Sequence, residues 1–239
     1  MTTNSTPHVV LVAGFWLGAW AWDALLEPLR AAGLDPVPLT LPGLLPDDER
    51  ASVTRADHVG AVTDLLDGLH GEEVVLVGHS GGGAVVGEAL DRRPGRVRRV
   101  VFVDTGPLED GAVLNATLPP DMTEVPLPSW AELAAQGSSI DGMDEAALGR
   151  FRSRAVPHPA RVAREPVRVS DPRRFDVPAT AICTSLPSQV LRTMVDGGPP
   201  FHTELGRFDV TYVDLPTGHW PMFSRPADLA AELIRATRA

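Results

Sequence analysis

A serine set among glycines at the end of an apolar run can serve as a nucleophile. Residues 74–86 read Val74-Val75-Leu76-Val77-Gly78-His79-Ser80-Gly81-Gly82-Gly83-Ala84-Val85-Val86. The aliphatic run stops at a glycine, one serine follows, then glycines and an apolar stretch long enough for a helix. The order is strand, sharp turn, helix, and Gly78-His79-Ser80-Gly81-Gly82 fits the pattern G-x-S-x-G. The spacing has a steric cause. A serine on so tight a turn has strained backbone angles, and side chains two residues before and after it would collide, so both positions are glycine. The hydroxyl is pushed out beyond the strand, and the free N–H groups of the first helical turn are aimed at whatever Ser80 attacks. A serine that merely caps a helix would need neither the buried strand before it nor the apolar helix after it.

A serine hydroxyl is a weak nucleophile until a base takes its proton. The chain has seven histidines. His8 precedes a strand, His58 sits near a helix start and His70 lies in a polar turn. His79 is inside the serine motif, and His158 and His202 lie in Pro-rich connections. His219 follows the last apolar strand pattern, in the turn Thr217-Gly218-His219-Trp220-Pro221, at the strand end where Ser80 must also be. His219 is therefore the expected base.

The elements that must position these groups follow a regular rhythm. Val9–Ala13 is a continuously apolar strand, followed by the loop 14–18 and a helix over 19–32 with Trp22, Leu25, Leu26 and Leu29 at helical spacing. A strand over 37–41, a solvated loop over 44–55 and a helix over 56–69 lead to the serine strand. Its helix runs to about residue 90, and Val97–Val103 forms the next strand, ending at Asp104. From 105 to 176 prolines are frequent, helical patterns occur at 130–135 and 144–151, and no strand of the earlier kind is seen. Strands resume at 179–183 and 210–213, and Pro226 opens a closing helix. The expectation is an α/β fold: a doubly wound, mostly parallel sheet of about six strands. Residues 1–104 and 177–239 form its core, and 105–176 an inserted helical cap. Ligands of such sheets bind beyond the carboxyl ends of the strands, where the 14–17 loop, Ser80 and Asp104 all fall.

With this strand order and serine motif, the chain resembles the α/β-hydrolase superfamily over nearly its whole length. Gly18-Ala19-Trp20-Ala21-Trp22 and the helix after it are similar to the plant methyl-esterase and hydroxynitrile-lyase branch, which lacks the first two strands of the fold and carries a helical cap. The resemblance implies Ser80 as nucleophile and His219 as general base and acid. It implies an oxyanion hole made by the N–H groups of Gly81 and Phe15; losing one such donor costs about 2.7–4 kcal/mol of barrier. The chain departs from the family at Ala13, where the His of a His-Gly pair is usual. The hole is backbone and is expected to survive with different support.

The acid departs as well. In most relatives a carboxylate follows the strand that here ends at Cys183, but the chain continues Thr184-Ser185-Leu186-Pro187-Ser188-Gln189, and Asp196 comes only after a helical stretch. Other branches, haloalkane dehalogenases among them, place the acid after the strand that follows the nucleophile, which here ends at Asp104. An aspartate closing a buried strand needs a partner, and a histidine that must hold one tautomer and become charged is one. Asp104 is the expected acid, ahead of an aspartate that only closes a turn and ahead of Glu109 and Asp110 farther along. Phe15, Trp16, Leu17 and His79, with Trp130 and Phe151 from the cap, outline an apolar pocket for an ester or lactone of modest size. Most of these aromatics would serve equally as core or cap packing.

Composition narrows the remaining classes. The formal net charge of −10 argues against a nucleic-acid partner. The single cysteine excludes an internal disulfide and makes a reducing compartment the default. The basic residues are all arginine, which excludes a Schiff-base lysine. No metal-ligand spacing and no dinucleotide fingerprint occurs, so no cofactor is expected. The N-terminal stretch lacks a basic residue ahead of its apolar run, and no run is long enough to span a bilayer, so the expectation is a cytoplasmic protein without a membrane partner. A homodimer is compatible with these numbers. The leading function is a serine hydrolase working through an acyl-enzyme. The alternatives are a lyase, C–C hydrolase or cyclase that uses Ser80 and His219 only for proton transfer, and a non-catalytic ligand receptor.

Overall fold

Aliphatic runs without polar interruption become strands covered on both faces. In the computed structural model, which describes residues 6–69, 74–197 and 203–239, β1 (His8–Val12), β2 (Asp35–Leu39), β3 (Val74–His79) and β4 (Val97–Val103) come before the inserted segment. A short antiparallel pair, β5 (Glu124–Val125) and β6 (His158–Pro159), lies inside it. β7 (Ala179–Cys183) and β8 (Val210–Asp214) follow it. The main sheet is parallel throughout, in the order β2-β1-β3-β4-β7-β8. His70 and His202 lie outside the described residues.

Alternation along each strand sorts the core into two layers. Val9, Leu11, Val75, Val77, Val101 and Val103 face one side, where α1 (Asp23–Ala31) packs against the closing helix. Val10, Val12, Val74, Leu76, Val100 and Phe102 face the other, under α2 (Arg55–Gly68) and α3 (Gly82–Arg92). Strand β2 starts and ends two residues earlier than the sequence pattern predicts. It is an edge strand, and an edge tolerates Pro36 and Pro38, whose missing N–H groups no ladder needs.

Residues 105–176 carry α4 (Trp130–Ala135), α5 (Glu145–Arg154) and α6 (Ala160–Arg164) besides the β5–β6 pair. The segment packs onto the sheet's own core: Leu133 and Phe151 are 1% and 0% exposed within the same cluster as Leu17 and Trp22. A buried ion pair also ties it down. Arg55, which the sequence places in a solvated loop, instead opens α2 at 2% exposure. Its guanidinium faces Glu88 of α3 at 3.5 Å and donates to the carbonyls of Val162 and Glu165. The Glu88 carboxylate accepts from the Arg168 N–H, so both partners hold the same strap. After β7 come α7 (Ser188–Gly197), β8, one helical turn at Pro221–Ser224 and α8 (Pro226–Arg238). No described helix is long and apolar enough to cross a membrane.

Candidate active site

Strand β3 runs straight into a left-handed residue. Ser80 has φ 51°, a value that side chains rarely hold. Backbone bonds secure it: the Ser80 N–H donates to the Val103 carbonyl at 3.2 Å, and the Gly83 N–H to the Ser80 carbonyl at 2.8 Å. The glycines have the steric role their spacing suggests. A Cβ on Gly78 would stand 2.9 Å from the Gly82 oxygen and 2.5 Å from a Val86 methyl. A Cβ on Gly82 would stand 2.7 Å from the Ala13 oxygen, so this glycine also clears the end of β1. Gly14, one residue on, lets the β1 loop come against Ser80 itself, 2.8 Å from a would-be Cβ to the serine Cβ.

The turn after β8 carries His219 to the serine. Its Nε2 lies 2.8 Å from Ser80 Oγ and its Nδ1 2.6 Å from Asp104 Oδ2. The network assigns the tautomer: Ser80 O–H donates to Nε2, and Nδ1–H donates to the carboxylate. The histidine is also gripped through its backbone. Its N–H donates to the Ser139 carbonyl at 2.7 Å, and its carbonyl accepts from His79 Nε2–H at 2.8 Å. Gly218 packs so closely on 139–141 that a Cβ there would lie 2.5 Å from the Ser139 oxygen.

Asp104 sits at the tip of β4 with φ 48°. Burial by itself would raise its pKa. The His219 and Ser185 hydrogen bonds outweigh that and hold the carboxyl well below the usual carboxylate range. Oδ1 accepts the N–H groups of Thr184 and Ser185 at 3.1 and 3.0 Å, and Oδ2 accepts the Ser185 hydroxyl at 2.6 Å. The turn after β7, which has no carboxylate of its own, thus supplies the donors that hold Asp104. Ser185, whose hydroxyl reaches the carboxylate, is the one side-chain signal for these donors in the sequence; Thr184 contributes only its backbone N–H. Glu109 accepts from Thr203, and Asp110 from the Val169 N–H, while Asp196 lies in α7.

The 14–17 loop turns at Trp16, φ 67°. Trp16 Nε1–H donates to the Val125 carbonyl at 3.0 Å and the Trp16 carbonyl accepts from Val156 N–H at 3.1 Å. The Phe15 ring fits between Gly81, where a Cβ would come within 2.6 Å of it, and the imidazole of His158, stacked at 3.8 Å between centroids. This packing supports the loop that follows Ala13.

A cavity of about 330 Å³ opens over Ser80, walled by Phe15, Trp16, Gly81, Leu133, His219 and Trp220. Of the expected pocket residues, Phe15 and Trp16 reach it and the others are displaced into packing. Leu17 is 1% exposed in the core. Phe151, at 0%, is ringed edge-on by Trp20, Trp130, Trp220 and Phe223. Trp130 packs on Phe151 beneath Arg152. His79 is fully buried and holds the His219 backbone instead of facing substrate. Burial and the nearby His219 keep its pKa far below the ordinary imidazole value, so it is neutral. Among the described residues no group of three His, Cys, Asp or Glu side chains is arranged to hold a metal ion.

The model for the alpha/beta hydrolase family matches residues 9–232. The chain belongs to the alpha/beta hydrolase family. This alpha/beta hydrolase is 30% identical to a carbendazim hydrolyzing esterase of Nocardioides sp., over 95% of this chain and 98% of that one. It is 39% identical over 106 residues to a putative chloroplastic methylesterase of Arabidopsis thaliana; the match takes in 43% of this chain and spans 30% of the plant protein's length. Among solved structures, a methylesterase protein from Arabidopsis superposes with a TM-score of 0.78 at 24% identity, covering 98% of this chain and 99% of that one.

Proposed function

We propose that this alpha/beta hydrolase is a serine esterase that cleaves a carboxylic ester or lactone of small to medium size through an acyl-enzyme. The observation that carries the reading is the unbroken line from Ser80 Oγ through the His219 imidazole to Asp104, at 2.8 and 2.6 Å. Supporting it are relatives named as esterases and methylesterases.

His219 Nε2 takes the Ser80 proton as Oγ attacks the carbonyl carbon. Asp104 keeps the imidazole in the tautomer that can accept it and stabilises the imidazolium that forms. The tetrahedral oxyanion sits between the N–H groups of Gly81 and Phe15, which fixed packing holds in place before the reaction. Nε2–H then protonates the leaving oxygen, water enters, and the same imidazole deprotonates that water to release the acid.

The test is labelling with a fluorophosphonate and turnover of p-nitrophenyl acetate. Wild type labels at Ser80, Ser80→Ala loses label and turnover, and Asp104→Asn lowers kcat by about 10⁴ because the wrong tautomer forms. A folded wild type that neither labels nor turns over ester would refute the assignment.

A further inference from the structure

At the Asp104 end of the His219 ring lies a second cleft, of about 430 Å³, that the mechanism above does not use. Its apolar wall is Ile182, Cys183, Leu186 and Leu191. Burial pushes the Cys183 thiol up to about 12, so it is a neutral wall and not a rival nucleophile. Gln136, Ser138 and His219 line both this cleft and the cavity over Ser80. The two spaces therefore share one wall, and the reacting imidazole is part of it.

The division of groups decides which part of a substrate can enter. Ser80, Gly81 and Phe15 line only the first cavity, so an ester carbonyl must bind there. The leaving oxygen must come within hydrogen-bond reach of Nε2, which returns the proton to it. The second cleft adjoins that point along the shared His219–Gln136–Ser138 wall. Charge sorts the products the same way. Hydrolysis leaves an anionic carboxylate on the acyl side and a neutral alcohol on the other. Asp104 lines the second cleft, and its negative charge there repels the carboxylate and tolerates the alcohol.

We propose that this cleft is the alcohol subsite, and that the substrates are esters of a bulky apolar alcohol, arylmethyl or larger, with a smaller acid. The proposal rests on the esterase reading. In the acylation step the bond from Ser80 Oγ to the carbonyl carbon forms and the bond from that carbon to the alcohol oxygen breaks. The serine proton passes through Nε2 to the departing oxygen, and the neutral alcohol occupies the cleft. Water then displaces Ser80 from the acyl carbon, and the acid leaves from the first cavity.

The experiment measures kcat/KM for acetate esters of methanol, benzyl alcohol and 1-naphthylmethanol, and for methyl hexanoate. It compares wild type with Leu186→Trp, which fills the cleft from its loop, and Leu191→Phe, which fills it from α7. Wild type should prefer the naphthylmethyl over the methyl ester by about tenfold or more, the scale on which a hydrophobic pocket discriminates. Either substitution should cut that ratio by about tenfold, with the hexanoate-to-acetate ratio of the methyl esters moving less than about twofold. Fluorophosphonate labelling of each variant reports that it is folded. A flat alcohol series in labelled wild type, or substitutions that shift the acyl ratio instead, overturns the subsite alone. Wild type that does not label overturns the esterase reading and the subsite with it.

Discussion

Ser80, Trp16 and Asp104 are the non-glycine residues with positive φ among those described, and all three are at the site. Such conformations cost on the order of 1–3 kcal/mol each and persist only where the surroundings dictate them. The strain at Ser80 was legible, because its cause, glycines two residues either side, is local. The strain at Trp16 was not, because it depends on bonds to Val125 and Val156, more than a hundred residues away. His79 makes the same point. Its identity suggests a pocket residue, but its partner is the His219 carbonyl. Replacing His79 with Phe should leave that carbonyl unpaired in the interior and lower kcat by about 10–100-fold with little change in KM. His79→Gln, whose amide can still donate, should recover most of the loss. Equal losses in both variants would mean that the imidazole matters for its shape and not for its hydrogen bond.

At the scale of elements, the inserted segment holds two parts of the site at once. Its 139–141 stretch pairs with the His219 turn, and its residues 125, 156 and 158 brace the 14–17 loop. The Arg55–Glu88 pair ties the same segment down alongside the packing of Leu133 and Phe151. Burial raises the Glu88 pKa, against the pull of Arg55. Arg55→Met should therefore destabilise the fold by about 3–5 kcal/mol, because the carboxylate is left buried and unpaired. Urea unfolding of Arg55→Met, Glu88→Met and the double variant checks this. The double variant should be more stable than Arg55→Met alone, and strict additivity would argue against the pairing. The sequence showed 105–176 as a change of rhythm with helices at Trp130–Ala135 and over 144–151. The contacts of that segment did not show, since no local pattern encodes which loop it meets.

Across the whole molecule, buried neutral histidines set the acid limit of stability. Burial takes His58 down to about 4, and His158 well below its ordinary value. In the unfolded chain both titrate near 6.5. Between those values the unfolded state binds protons that the folded state refuses. Stability is therefore complete above about pH 6.5 and falls as pH drops toward 4, by about 3 kcal/mol for His58 alone. Thermal melts from pH 7.5 to 5 should show a falling Tm, and His58→Gln should flatten the slope; a slope unchanged in that variant would place the protons elsewhere. Sequence alone pointed to the main strands, a mostly parallel sheet and the serine turn, because strand burial and tight turns leave local signatures in residue type and spacing; Asp104 was reached through the family resemblance. Tertiary structure decided the rest: that Asp104 is held by Thr184 and Ser185, that His79, Leu17 and Phe151 pack instead of lining the cavity, and that two spaces share the His219 wall. Those outcomes depend on which surfaces meet, and hydrogen bonds and packing between distant segments leave no periodicity in the chain.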